Sequence, residues 1–129
     1  MTYGSFERGV EKQREMWGDA PASMLAQVES EFNRPILHQI IGTCFGEAWA
    51  SDALTPKVRS LITVGMVAAM GRTSETRLHV RWALLNGCTP EELREVIKHV
   101  AAYAGAPAGA EAAFAADEVI RAEGVAVAP

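Results

Sequence analysis

Three stretches decide the fold: Leu54-Thr55-Pro56-Lys57-Val58-Arg59-Ser60-Leu61, Arg77-Leu78-His79-Val80-Arg81 and Tyr103-Ala104-Gly105-Ala106-Pro107-Ala108. Thr55 reads as an N-cap with Pro56 at the first helical position, where proline's missing N–H is harmless. From Leu61 to Met70 the residues are apolar nearly all round, which predicts a central, buried helix. Thr73 or Ser74 can cap the next helix, and Gly87 suits its end. Thr89-Pro90-Glu91-Glu92 reads as a capping box opening a further helix. Gly105 and Pro107 separate that helix from a last one, Ala108 to about Ala122.

Toward the N-terminus the same periodicity predicts a helix from Phe6 to Trp17, stopped by Gly18-Asp19-Ala20-Pro21, and a second from about Ala22 to Phe32. Asn33 can cap a third, with Pro35 in its first turn. The apolar face of this helix is Ile36, Leu37, Ile40, Ile41, Cys44 and Phe45, followed by Trp49. No strand candidate survives, so the expected fold is all-α: a compact six- to seven-helix domain over residues 1–129. Small residues crowd the region from Ala101 to Ala116. They allow close helix approach but bury little area each, which points to packing against copies of the chain or to an alanine-rich, solvent-facing helix. The tail, Gly124 to Pro129, is expected to fray.

Size and charge bound the function. A chain of 129 residues holds one domain with one core. Its 49% apolar and 22% charged residues argue against disorder. A net charge of −4 disfavours nucleic acid as a partner, since phosphate binding needs a basic face. Local arginines can still bind a small anionic carboxylate. No apolar run approaches the ~20 residues of a membrane span. Met1-Thr2-Tyr3-Gly4-Ser5-Phe6-Glu7-Arg8 lacks the features of a signal peptide, so the expected location is cytoplasmic. Cys44 and Cys88 fit neither a CxxC nor a zinc pattern and read as reduced thiols.

The chemistry-bearing residues gather around His79. Glu75 lies one turn before it, at a spacing where a carboxylate orients an imidazole and raises its pKa. Arg77 and Arg81 flank this face and can grip a carboxylate bidentately. The plainer reading is a half-buried histidine in a surface ion network. Glu47, at the end of an apolar helix, reads by itself as an exposed terminal carboxylate. His99 can stack on Tyr103 but reads first as surface polarity, and His38 reads as a satisfied core or interface histidine. None of the three histidines has a partner at the spacing of a metal motif. Phosphate-loop and serine-elbow motifs are missing as well.

With these residues in view, the chain resembles the carboxymuconolactone decarboxylase family, within the alkylhydroperoxidase-D-like superfamily. The resemblance runs through Gly46-Glu47-Ala48-Trp49, Leu54 to Leu61, Gly71-Arg72, Leu78-His79-Val80-Arg81, Gly87, Thr89-Pro90-Glu91-Glu92 and His99 to Ala108, and is strongest to the γ-carboxymuconolactone decarboxylases of aromatic-acid catabolism. The peroxidase branch of the superfamily has a CxxC pair seven and four residues before its histidine, positions held here by Arg72 and Glu75. That branch's relay glutamate falls on Ser60. Thiol peroxidase activity is therefore not expected.

What the resemblance implies is a homo-oligomer, trimer or hexamer, that decarboxylates 4-carboxymuconolactone to β-ketoadipate enol-lactone without a cofactor or metal. The lost carboxylate lies γ to a lactone carbonyl through a double bond, so the electron sink is inside the substrate. The resemblance assigns His79 as acid or oxyanion donor and Glu47 as its relay. Arg59, Arg72 and Arg81 become carboxylate clamps, and Trp49 an apolar wall. Two other readings stay open: a same-fold decarboxylase or isomerase acting on another keto or vinylogous acid in a biosynthetic pathway, and a non-catalytic helical assembly or binding protein.

Overall fold

The computed structural model describes residues 4–129; the part of the N-terminal reading that falls on residues 1–3 lies outside them. The described residues form seven α-helices and one π-helix, with no strand among them. Contacts divide the chain into two compact units, Met1–Pro56 and Lys57–Pro129.

The first unit holds α1 (Ser5–Trp17), α2 (Ala20–Val28), α3 (Arg34–Ile41) and a π-helix, Gly42–Ala48, that continues α3. Pro21, expected to help stop α1, instead sits in the first turn of α2, where its fixed φ suits the start of a helix. Helix α2 stops at Val28, four residues before the expected Phe32. Asn33 does not cap α3 through its side chain. It forms a reciprocal box with Ser30, accepting from the Ser30 N–H at 2.7 Å while its own N–H donates to the Ser30 hydroxyl at 3.2 Å. Its amide also donates to the Val28 carbonyl at 2.9 Å, closing the end of α2. His38 is satisfied: it stacks flat on Phe6 at 3.7 Å and meets the Glu29 carboxylate at 3.2 Å.

The second unit holds α4 (Pro56–Ala69), α5 (Thr73–Leu85), α6 (Pro90–Ala104) and α7 (Ala106–Ala122). Its core joins Val64 of α4, Val80 and Ala83 of α5, Leu93 of α6, and Ala112 and Ala116 of α7. Helix α4 is not buried all round as its composition predicts. Ser60, Val64 and Ala68 face inward at four-residue spacing, while Met66 and Met70 remain 62% and 66% exposed. One stripe of α4 is enough to meet a core already filled by α5, α6 and α7.

Neither Thr73 nor Ser74 caps α5; the N-cap is Arg72, without a side-chain bond. The end of α5 follows the expected pattern. Gly87 takes φ +90°, its N–H donates to the Leu84 carbonyl at 3.1 Å, and that of Cys88 donates to Ala83 at 2.9 Å. The Thr89 capping box forms with both bonds in place. The small residues near the C-terminus divide: Gly109 of α7 lies directly on Ala101 of α6 and Ala112, Ala115 and Ala116 are buried, whereas Ala102, Ala104, Ala106, Ala110 and Ala113 stay exposed.

The tail does not fray. Beyond Gly124, the Ala128 N–H donates to Glu91 Oε1 at 2.6 Å and the Ala128 carbonyl accepts from Arg94 Nη2 at 2.9 Å. That backbone bond holds the Glu91 carboxyl below its ordinary 4.5. The bond therefore persists above 4.5 and is lost only as pH falls through the lowered folded value. Hydrogen exchange should find the Ala128 amide protected at pH 5 and unprotected at that pH in Glu91→Ala. Equal exchange in the two proteins would show that the clasp is not formed in solution.

Candidate functional site

Helix α5 carries the central residue. Positions 72, 75 and 79 fall on one face at a helical repeat of 3.6 residues, so Arg72, Glu75 and His79 form a line along it. Val80, Trp82 and Ala83 are buried and pin the helix to the core, which fixes how deep His79 sits. The His79 side chain is 14% exposed and Glu75 is 55% exposed, with 3.7 Å between Nε2 and the carboxylate. At that distance the pair is not a hydrogen bond, and it is ionic only when the imidazole is protonated.

The expected rise in the His79 pKa is overturned. Burial lowers it below 6.5, and the pull of the Glu75 charge in the other direction is the smaller effect. An exposed carboxylate is well solvated and contributes little, while desolvation of the imidazolium is felt in full. Near neutral pH His79 is therefore a neutral imidazole, able to donate one N–H and accept at the other nitrogen.

A stability consequence follows. Below pH 6.5 the unfolded chain takes up a proton at this position that the folded chain resists. The resulting loss of stability begins as pH falls below 6.5 and grows down to the lowered folded value. Urea unfolding of wild type and His79→Leu at pH 7.5 and 5.5 tests this: wild type should lose more stability on acidification than the variant. Equal losses would rule it out.

The arginines separate into two groups. Arg77 Nε meets Glu118 of α7 at 2.7 Å and Arg81 Nε meets Glu123, just past the end of α7, at 3.3 Å, so both are engaged by carboxylates. Arg72 is exposed at the start of α5 and has no ion pair among the described residues. Arg59, half-buried on α4 with its Nε out of solvent, has its carbonyl taken by the Thr63 hydroxyl at 2.8 Å. Arg72, exposed and without an ion pair among the described residues, is available to an incoming anion.

Two positions bear on peroxidase chemistry. Ser60, which stands where that branch has its glutamate, is fully buried and accepts from Asn86 Nδ2 at 3.0 Å, tying α4 to the end of α5. Cys88 is buried, its thiol donates to the Lys57 carbonyl at 3.5 Å, and burial pushes its pKa up to about 11. Such a thiol does not supply a thiolate near neutral pH. Both cysteines are free, and among the described residues no group of three His, Cys, Asp or Glu is placed to hold a metal ion.

Glu47 and Trp49 belong to the first unit. Glu47 is exposed on the π-helix. Trp49 is buried, packed against Trp17 at 5.6 Å and Phe45 at 5.4 Å. Sequence reasoning missed the π-helix itself, whose only trace is Gly42 and Gly46 four residues apart. The His99–Tyr103 ring contact, which the sequence offered as the lesser alternative to plain surface polarity, forms at 4.7 Å.

Among the described residues, a desolvated histidine and an exposed arginine share one face of α5, an arrangement able to receive a small anion. The chain belongs to the carboxymuconolactone decarboxylase family, whose sequence model matches residues 35–118. It is 34% identical, over 94% of its length and 90% of the relative's, to the 4-carboxymuconolactone decarboxylase of Acinetobacter baylyi. It is also 30% identical, over 89% of its length and 80% of the relative's, to a nitrosuccinic acid decarboxylase of Metarhizium robertsii. An uncharacterized 15.0 kDa protein of Paracoccus denitrificans shares 35% identity over half of the chain and 49% of its own length.

Proposed function

We propose that the chain decarboxylates 4-carboxymuconolactone to β-ketoadipate enol-lactone, without a cofactor, in aromatic-acid catabolism. The coarser statement, that it is a carboxy-lyase, stands on its family and on two relatives named as decarboxylases. The observation that carries the finer reading is the likeness to the bacterial enzyme along nearly the whole chain.

The chemistry asks for three things. As the C–CO₂ bond breaks, its electron pair moves through the double bond onto the lactone carbonyl oxygen, and CO₂ leaves. That oxygen needs a hydrogen-bond donor, the remaining carboxylate needs a cation, and the dienolate carbon then needs a proton. Neutral His79 meets the first need through its N–H. Arg72 meets the second, with Arg59 as a further clamp; Arg81 serves only if it leaves Glu123. Glu47 is assigned as the partner or relay of His79 in returning the proton, and Trp49 as the apolar wall. Both assignments come from the resemblance.

The Metarhizium relative favours a second reading, in which the substrate is another small acid that carries its own electron sink, as a nitro group does. The whole chain is proposed to act as one cytoplasmic domain, and as a homo-oligomer of three or six copies. The exposed Met66 and Met70 support assembly, since isolated domains rarely leave such a stripe in water. Carbon dioxide release and ultraviolet loss on fresh 4-carboxymuconolactone test the reaction, with nitrosuccinate as the second acid. Turnover of the lactone alone supports the first reading, turnover of nitrosuccinate alone supports the second, and turnover of neither removes both.

A further inference from the structure

Glu47 sits in an unusual piece of backbone. Seven consecutive residues, Gly42–Ala48, are wound as a π-helix, and the Trp49 N–H bonds back five residues to Cys44 at 2.8 Å. Such winding is rare, mostly limited to single turns, and frequent at functional sites. In this segment it sorts side chains in pairs four residues apart. Gly42 and Gly46 face α1, Phe45 and Trp49 join Trp17, and Thr43 and Glu47 face solvent.

The contact with α1 is backbone on backbone. A methyl group at Gly9 would stand 2.5 Å from the Ile41 carbonyl oxygen and 3.1 Å from the Gly46 nitrogen. One at Gly46 would run into the Ser5 carbonyl and stand 3.3 Å from the Gly9 nitrogen. Because rigid backbone meets any added atom, α1 or the π-helix would have to move. The winding also sets where Glu47 points. An α-helix turns about 100° per residue, and a π-helix of ~4.4 residues per turn about 82°. Over the five steps from Gly42 to Glu47, rewinding as α would swing Glu47 by about 90° relative to the α1 contact.

We propose that the π-helix is the device that aims Glu47, and that Gly9 and Gly46, by admitting α1 against it, are positioning residues for the decarboxylation. The inference rests on the role given to Glu47 above.

A mutant cycle on the full chain tests it. Gly46→Ala and Gly9→Ala should each lower kcat by about 10²-fold, the scale of a misplaced catalytic group, with KM changed by less than about threefold. Combined with Glu47→Gln, either should add nothing to the loss caused by Glu47→Gln itself, because they act through the same group. Val10→Ala, on the same helix but away from the glycine contact, controls for general loosening of α1 and should keep its kcat. Gly42→Ala, whose methyl first meets the Ser5 hydroxyl at 2.9 Å, is the milder variant if Gly46→Ala does not fold. Additive losses, or an equal loss in Val10→Ala, would overturn the inference. If wild type turns over neither acid, the proposed reaction fails by that result. The crystal structure of Gly9→Ala then decides the positioning claim: rewinding of residues 42–48 upholds it, and an intact π-helix overturns it.

Discussion

His79→Ala should lose turnover by about 10²- to 10⁴-fold, the range expected when a positioned acid–base group is removed, while remaining folded. The fold should survive because Val80 and Ala83, and not the imidazole, fasten α5 to the core. His79→Gln separates two roles. Its amide keeps an N–H donor but cannot take up or release a proton, so substantial recovered activity would identify oxyanion stabilisation as the main contribution. Failure of both variants would place proton transfer at His79. The pH profile carries the same distinction. The lowered pKa leaves the imidazole neutral at pH 7, so kcat/KM should fall as the solution is acidified through that value. A rate that climbed on acidification would identify the imidazolium as the working form. Full activity in His79→Ala would remove this residue from the site.

Gly109→Ala should destabilise the chain by about 2–3 kcal/mol, in the range of core overpacking. At an ordinary helix interior the same change stabilises by roughly 0.5–1 kcal/mol, since alanine is the better helix former. The sign reverses here because the new methyl would collide with the Ala101 methyl and stand 2.8 Å from the Ala101 Cα. Helices α6 and α7 would have to separate, opening the core around Leu93 and Ala112. Ala101→Gly should recover only part of the loss when added to Gly109→Ala, because the contact with the residue-101 Cα at 2.8 Å remains, and alone it weakens α6. Urea unfolding of the three variants gives the answer, and a stabilised Gly109→Ala would mean that the two helices are not in such close contact.

These two residues also illustrate what can be read from a chain and what cannot. His79 stood out because a histidine between Leu78 and Val80 carries chemistry that its neighbours lack, and its family motif is local. Gly109 did not stand out among the small residues around it, because a close helix crossing depends on which partner lies opposite. The arginines divide in the same way. Their spacing around His79 is visible in the sequence, but the engagement of Arg77 and Arg81 by Glu118 and Glu123 spans about forty residues and needs α7 in place.

The sequence by itself determined the helical class, most helix ends and the family, because caps, prolines and 3.6-residue periodicity act within a few residues. The Thr89 box and the Gly87 terminus formed as read for that reason. Only the tertiary structure decided which stripe of α4 is buried, that burial outweighs Glu75 in setting the charge of His79, and that the tail clasps Glu91 and Arg94. It also revealed the π-helix beneath Glu47. Each of these depends on desolvation or on close contact between segments distant in sequence, and neither quantity exists until the chain has folded.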